Sequence, residues 1–427
     1  MMNVLLLGSG GREHAMAWSI AKSDHLDELF IAPGNPGTAQ VGTNVDLDLS
    51  DFEGILAFIE ENEIALTIVG PEKPLVDGIT DFLEEKGHKV FGPSKIAAQL
   101  EGSKKFANEF MKENRIPTAD FQTYGRDEFD KALKVIKSKD EYPVVLKADG
   151  LAGGKGVFIC ESAEEVEKRL NELKEDERFQ EAAQKLVVEE FLRGDEASVF
   201  VISDGKTAKI LHYAQDHKRI GEGDTGLNTG GMGAYCPTPV IGDRMLQRVE
   251  KEIILPTISA MLLDENPYKG ILYCGLMITE DGPKVVEFNC RLGDPEAQAV
   301  LPSLESDFLD LMDAAVNEQL NTKEVNIDEK YRCCVVMASD GYPLDYEKGK
   351  KITGIDDVAE DALVFHAGTK GEDGKLYSDG GRVLSVVGAG DTLQDAIKNT
   401  YTEVKKIDFE NKYFRSDIGT KGLKYIS

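Results

Sequence analysis

Long apolar runs are missing from this 427-residue chain. No stretch approaches the roughly 18 consecutive apolar residues that cross a bilayer as a helix, so no membrane span is expected. The opening Met1-Met2-Asn3 leads straight into a strand-like run with no basic segment before it, so a signal peptide is not expected and a cytoplasmic location is. Cysteine is sparse and poorly spaced for metal or disulfide work. The six residues Cys160, Cys236, Cys274, Cys290, Cys333 and Cys334 form no C-x-x-C pair and most lie in apolar runs. Each should behave as a small buried hydrophobe rather than as a zinc ligand or half of a disulfide. Basic charge is short as well: 49 Lys and Arg stand against 77 Asp and Glu, a formal net charge of −28. That excludes the basic face which nucleic acid or an anionic membrane needs. It also means that a phosphorylated ligand must be held by local devices against the global field: glycine-rich loops, helix N-termini and a few placed cations.

The length allows two to four domains with well-buried cores. Residues 3–100 alternate buried strands with helices of ten to fifteen residues, the pattern of a parallel α/β sheet. Within it, Ser50 and Glu53 have the spacing of a capping box. From about residue 121 the elements shorten into a small α+β module over 121–192, with exposed helix over 164–184. Two longer strands, a helix over 243–263 and a hairpin over 270–289 follow. After about 325 short strands and many glycines suggest a separate small, mostly-β domain. The expected division is therefore 1–103, 104–325 with the 121–192 module inside it, and 326–427.

The densest chemistry lies in Val285-Val286-Glu287-Phe288-Asn289-Cys290-Arg291-Leu292-Gly293-Asp294-Pro295-Glu296. Alternate residues of a strand share a face, so Glu287, Asn289 and Arg291 should converge. Two hard oxygen ligands beside a fixed cation suit a metal-bound polyphosphate. Upstream, Asp149-Gly150-Leu151-Ala152-Gly153-Gly154-Lys155-Gly156 joins two strands, with Lys147 ending the first. Glycines let backbone approach phosphate, and the two lysines fit a triphosphate, although G-x-x-x-x-G-K-[ST] is absent. Val187-Val188-Glu189-Glu190-Phe191-Leu192 could form an apolar base slot, with Glu196 placed for ribose hydroxyls. An edge strand with solvent-facing glutamates would look the same. Asp216, His217 and Lys218 precede a second glycine-rich segment, Asn228-Thr229-Gly230-Gly231-Met232-Gly233, which suits an ordered substrate loop with backbone donors. Gly8-Ser9-Gly10-Gly11-Arg12-Glu13-His14 follows the first strand and fails G-x-G-x-x-G at Glu13, so Gly10, Gly11 and Arg12 read as a phosphate site on a helix N-terminus. His14 and His217 read as structural or orienting residues.

Together these segments resemble the ATP-grasp superfamily, and within it the phosphoribosylamine–glycine ligases. The likeness runs along essentially the whole chain, from residues 4–14 through 147–156, 215–219 and 228–235. It closes on Arg291-Leu292-Gly293-Asp294-Pro295-Glu296-Ala297-Gln298, a string specific to that family. The resemblance implies an ATP-dependent ligase. It would join glycine to 5-phosphoribosylamine through a glycyl phosphate, giving glycinamide ribonucleotide, ADP and phosphate in de novo purine synthesis. It implies Mg²⁺ or Mn²⁺ on Glu287 and Asn289, with ATP phosphates at Lys104, Lys147, Gly153, Gly154 and Lys155. Adenine would lie along 189–192 (Glu189, Glu190, Phe191, Leu192), with ribose at Glu196. Arg291, Lys155 and Asp216 would be catalytic. Gly10, Gly11, Arg12, Asp216, Lys218 and the 228–233 loop would bind the glycine and sugar amine. The strand before Glu-x-Asn carries no acid in 273–278, where many relatives of the superfamily have a metal carboxylate, so fewer protein metal ligands are expected. Another carboxylate–amine ligase or carboxylase, a Rossmann oxidoreductase and a non-catalytic nucleotide-binding module are the competing readings. The chain would act on small molecules as a monomer or homodimer.

Overall fold

The computed structural model describes residues 1–150, 156–175 and 184–426. Its N-terminal part is a five-stranded sheet of β1 (Met2–Gly8), β2 (Leu26–Pro33), β3 (Thr43–Asn44), β4 (Ile64–Val69) and β5 (Val90–Phe91), ordered β3-β2-β1-β4-β5. Every pair in it is parallel. Val4 to Leu7 and Ile68 are fully buried, as both-faced burial of a parallel sheet demands. The helix after β1, α1 (Gly11–Ile20), begins at the turn foreseen there. The next helix, α2 (Phe52–Glu61), is capped by Asp51, whose side chain accepts from the Gly54 amide. The cap expected at Ser50 is therefore displaced by one residue. Ser50 instead binds Asp48, whose carboxylate offers its hydroxyl a closer acceptor.

The small module is an antiparallel sheet of β6 (Phe121–Gly125), β7 (Val144–Ala148), β8 (Val157–Cys160) and β9 (Lys185–Glu190), ordered β6-β9-β7-β8. It packs on the helices Phe129–Lys139 and Ala163–Glu175, around its own core of Phe129, Leu146, Leu170 and Leu186.

The central sheet begins with β10 (Asp195–Asp204) and β11 (Ala208–Asp216). The small ribbon β12 (Arg219–Gly221) and β13 (Thr225–Asn228) stands apart, and β14 (Gly233–Cys236) rejoins the sheet. The hairpin β15 (Lys269–Thr279) and β16 (Gly282–Asn289) forms one edge. The helix expected over 243–263 runs as Asp243–Val249, a π turn at Glu250–Ile254, and Leu255–Leu263.

The C-terminal strands do not form an isolated sheet. β17 (Tyr331–Ser339) pairs with β14, so the sheet continues from β16 through β15, β10, β11 and β14 into the C-terminal part. Beyond it lie β18 (Lys351–Ile352), β19 (Leu363–His366), β20 (Thr369–Glu372), β21 (Lys375–Ser378), β22 (Arg382–Gly390) and β23 (Lys412–Tyr413); β22 and β19 extend the large sheet. The C-terminal part is compositionally distinct yet hydrogen-bonded to the centre. A helix, Leu393–Val404, packs on β17 and β22. All six cysteines are buried and unpaired. No described helix is long and apolar enough to cross a membrane.

Candidate active site

Strand β16 delivers the first two functional groups. Its antiparallel pairing sets Glu287 opposite Gly275 and Asn289 opposite Tyr273. Phe288 turns into the core between them. A Cβ on Gly275 would stand 3.2 Å from Glu287 Cγ, so glycine leaves the carboxylate its room. Both Glu287 and Asn289 line a cleft of about 340 Å³ between the small module, the central sheet and the N-terminal part. Burial would raise the Glu287 carboxyl, but Lys218, Lys147, Lys104 and Arg291 together hold it below its usual value. The Asn289 amide nitrogen is buried with no hydrogen-bond partner. A buried unpaired donor carries a cost that a ligand can remove. A carboxylate and an amide oxygen two residues apart on one strand, facing a phosphate-sized cleft, form a donor set that fits a hard divalent cation.

Arg291 follows the strand end. Its guanidinium is fixed by Glu101 at 2.9 Å and Glu72 at 3.2 Å, and it donates to the Leu292 carbonyl at 3.2 Å. Burial opposes its charge, but those carboxylates prevail and raise its pKa. Glu101 also accepts the Cys290 amide at 2.8 Å. Glu72 opens the helix Glu72–Asp77 directly after β4, and Glu101 sits in the short helix Gln99–Gly102. Both come from the N-terminal part, more than 180 residues from Arg291 in sequence.

The lysines arrive from two elements. Lys104 begins the helix Lys104–Glu113, whose N-cap Ser103 accepts the Phe106 amide. Asp149 ties this helix start to the module: one of its oxygens accepts from Ser103 Oγ at 2.9 Å and from the Lys105 amide at 2.7 Å. Burial lowers the Lys104 pKa, and Lys147 adds to the effect. Lys147, on β7, meets Glu189 of β9 at 2.7 Å and donates to the Val286 carbonyl at 2.9 Å. Glu189 in turn accepts from Asn108 at 2.8 Å. This buried pair is fully bonded, the condition under which such a pair is tolerated.

Asp216 ends β11 and lines the cleft with Lys218. Lys218 Nζ lies 3.3 Å from Glu196 and 3.8 Å from Glu287. Burial works against its charge, yet Glu196, Asp216, Tyr273 and Glu287 raise its pKa well above the ordinary value. Burial raises the Asp216 carboxyl. The Lys218 carbonyl accepts both the amide and the hydroxyl of Thr229, at 2.8 and 2.9 Å, and so draws the glycine-rich loop over the cleft.

Several expected residues stand elsewhere. Of the 228–233 loop only Thr229 and Gly230 line the cleft. Asn228 pairs with Arg219 in the ribbon, the Met232 side chain is wholly buried in the C-terminal core, and Gly233 opens β14. Gly231 has φ +116° and packs against Pro295, where an added Cβ would lie 2.4 Å from the ring. Gly10 and Gly11 do not line the cleft. The Gly10 amide donates to Glu13 at 2.7 Å, and a Cβ on Gly11 would strike Gln298 Nε2 at 2.4 Å. Arg12 does reach the cleft, bound to Glu13 at 2.6 Å and the Leu292 carbonyl at 3.2 Å. Glu190 and Phe191 line an adjoining cavity of about 730 Å³ that also includes Glu189 and Met111. Leu192 lies past the end of β9 and lines neither cavity. Gly153, Gly154 and Lys155 fall outside the described residues; Gly156 and Val157, which follow them, line the cleft.

Sequence reasoning did not single out Glu72, Glu101, Asn108, Tyr273, Asp294, Glu296 and Arg382, all of which line this cleft. Asp294 and Glu296 belong to the signature string, and that was the available signal. Arg382, on β22, donates to the Asp294 carbonyl at 2.5 Å and the Gly230 carbonyl at 2.9 Å, and joins the C-terminal part to the cleft.

Three domain families cover the chain: phosphoribosylglycinamide synthetase N domain over residues 2–101, its ATP-grasp (A) domain over 102–297, and its C domain over 332–421. The phosphoribosylamine–glycine ligase of Rhodopirellula baltica is 47% identical over 429 residues, 99% of this chain and 98% of that protein. The one from Chlorobaculum tepidum is 47% identical over 428 residues, 99% and 100% of the two chains. The crystal structure of the Thermotoga maritima phosphoribosylamine–glycine ligase superposes with a TM-score of 0.84 at 36% identity, covering 97% of this chain and 99% of that one. A biotin carboxylase domain from Hydrogenobacter thermophilus, at 17% identity and a TM-score of 0.73, shares the fold. On the matched domains, the full-length identity and the cleft they frame, this chain belongs to the phosphoribosylamine–glycine ligase family of ATP-grasp enzymes.

Proposed function

We infer that the cleft activates the glycine carboxylate with ATP and passes the glycyl group to the sugar amine. As a member of its family, the chain is an ATP-dependent ligase that joins glycine to 5-phosphoribosylamine in purine synthesis. One observation carries the mechanistic reading: Glu287, Asn289 and Arg291 meet Lys104, Lys147 and Lys218 around a single cleft.

In this reading Lys104 and Lys147 neutralise the ATP phosphates, and the 189–192 segment takes the adenine, with Glu196 toward the ribose. Glu287 and Asn289 would hold a divalent cation, Mg²⁺ or Mn²⁺, which supplies charge neutralisation for the transferring phosphoryl group when bound. Arg291 cannot lose its proton and is held rigid by two carboxylates, so it offers a fixed cation to phosphoryl oxygens without reorganising. Asp216 pairs with the glycine ammonium. Lys218 steadies the glycine carboxylate, Thr229 and Gly230 close over the acceptor, and Arg12 faces the sugar phosphate. The chemistry then has two steps. The glycine carboxylate oxygen attacks the terminal phosphorus and ADP leaves; the amine next attacks the carbonyl and phosphate leaves. No enzyme nucleophile is required, and catalysis rests on positioning and charge.

Purified protein should form ADP only when glycine and phosphoribosylamine are both present, with glycinamide ribonucleotide identified by mass. ADP formed with bicarbonate or another amino acid in place of glycine would overturn the reading.

A further inference from the structure

One carboxyl in the cleft is left over by this scheme. Glu296 opens the helix Glu296–Val300, lines the cleft and is only 4% exposed. Its carboxyl lies folded over the backbone of Gly293: a Cβ there would stand 2.4 Å from Glu296 Oε2 and 2.6 Å from Cδ, so only glycine admits this pose. The described cations nearest it have other ion-pair partners. Arg291 is held by Glu72 and Glu101, and Lys218 lies between Glu196 and Glu287. Glu101 is likewise engaged, by Arg291 and by the Cys290 amide. Asp294 is bound by Gln298 and Arg382. Among the described residues of the cleft, Asp216 and Glu296 are the carboxyls with no ion pair, and Asp216 is the one given to the glycine ammonium in the scheme above, which leaves Glu296.

Its surroundings set its proton affinity. Asp216 and Lys218 face it from the end of β11, Tyr273 from β15, Arg291 and Asp294 from the segment after β16, and Cys334 from β17. Burial raises its pKa most, and Asp216 raises it further. Its own helix N–H, Lys218 and Arg291 pull the other way, and the balance lies at about 7. Burial raises the Asp216 carboxyl as well, with Glu196 and Glu287 adding to it and Lys218 and Lys421 opposing it. Two neighbouring buried carboxyls disfavour each other's charge, which suits one of them to hold a proton near neutral pH.

The reaction needs a proton acceptor. When the sugar amine attacks the glycyl carbonyl, a C–N bond forms and the nitrogen becomes cationic. The C–O bond to phosphate breaks with its electron pair, and the nitrogen must lose one proton to become the amide. We propose that Glu296 is a further catalytic residue of the ligation, the general base that takes this proton from the attacking amine. The proposal rests on the glycine-to-amine reading given above.

The test separates the two half-reactions. With glycine and phosphoribosylamine both present, glycyl phosphate formation is followed by trapping it with hydroxylamine as glycine hydroxamate, and amide formation by product mass, for the wild type, Glu296→Gln and Glu296→Asp. In Glu296→Gln the amide-forming rate should fall by about 10²–10⁴-fold, the range for a lost general base, while hydroxamate formation stays within about threefold. In the wild type, amide formation should rise with pH through about 7, as the carboxyl loses its proton, and Glu296→Gln should lose that rise. Glu296→Asp should retain it, shifted toward acid. Equal loss of both half-reactions would make Glu296 a glycine ligand or a structural residue and overturn the proposal. So would an unchanged amide rate or an unmoved pH limb. If Glu296→Gln does not fold, the position of the limb in Glu296→Asp decides. A wild type that yields no amide from glycine and phosphoribosylamine would refute the functional reading instead.

Discussion

At the scale of single residues, the cleft is an exercise in holding charge where the rest of the molecule disfavours it. Four cations around Glu287 outweigh the burial that would raise its pKa, and hold it below its usual value. Removing Glu287 takes away the only carboxylate of the Glu-x-Asn pair while leaving Phe288 and Val285 to hold the strand in the core. Glu287→Ala should therefore lose product formation by about 10²–10³-fold, the scale of one deleted electrostatic group in a preorganised site. Its thermal midpoint should stay within a few degrees of the wild type. Turnover that survives unchanged at saturating Mg²⁺ would remove Glu287 from the metal assignment.

At the scale of elements, the helix Lys104–Glu113 connects stability to ATP binding. Ser103 caps it and also donates to Asp149, so one hydroxyl fixes the helix start and ties it to the segment that follows β7. Ser103→Ala should cost about 1 kcal/mol of stability in a denaturant titration, the usual value of a lost N-cap. Because Lys104 is the next residue, the same variant should raise KM for ATP more than it lowers kcat. A stability loss with KM unmoved would separate the cap from the nucleotide site. The glycine-rich loop is the counterpart. It is held by Thr229 on the Lys218 carbonyl and by Arg382 on the Gly230 carbonyl, so its shape depends on β22 as well as on β11.

At the scale of the molecule, a net charge of −28 surrounds a cleft meant for anions. The Debye length falls from about 30 Å at 0.01 M salt to about 10 Å at 0.1 M. Added salt should thus screen the distant acidic surface before it weakens lysines in contact with phosphate. The kcat/KM for ATP should rise by about twofold or more when KCl goes from 10 to 100 mM, read from initial rates at fixed free Mg²⁺. A steady fall over that range would show that the local cations already dominate the field met by incoming ATP. The continuous sheet from β16 to β19 belongs to this scale too, since through it the C-terminal part reaches Asp294 by way of Arg382.

The local content of this protein was legible in one dimension. The strand β16 declared itself by Val285 and Phe288 as apolar core residues and by Glu287 and Asn289 two residues apart, on one face. The parallel sheet declared itself by buried runs spaced by helices, and the lysines by their place beside glycine-rich turns. Such features depend on periodicity and neighbours within a few residues, which a sequence displays directly. Tertiary structure decided the rest, because it depended on partners far apart in the chain. Arg291 is rigid through Glu72 and Glu101, more than 180 residues upstream. Gly10 and Gly11 stay off the cleft wall, with Glu13 bonded to the Gly10 amide and Gln298 packed against Gly11. Met232 is drawn into the C-terminal core because β14 is shared between two parts of the sheet. Glu296 reads in sequence as one more acid, and burial beside Asp216, with the nearest described cations paired to other carboxylates, is what gives it a proton affinity near neutrality.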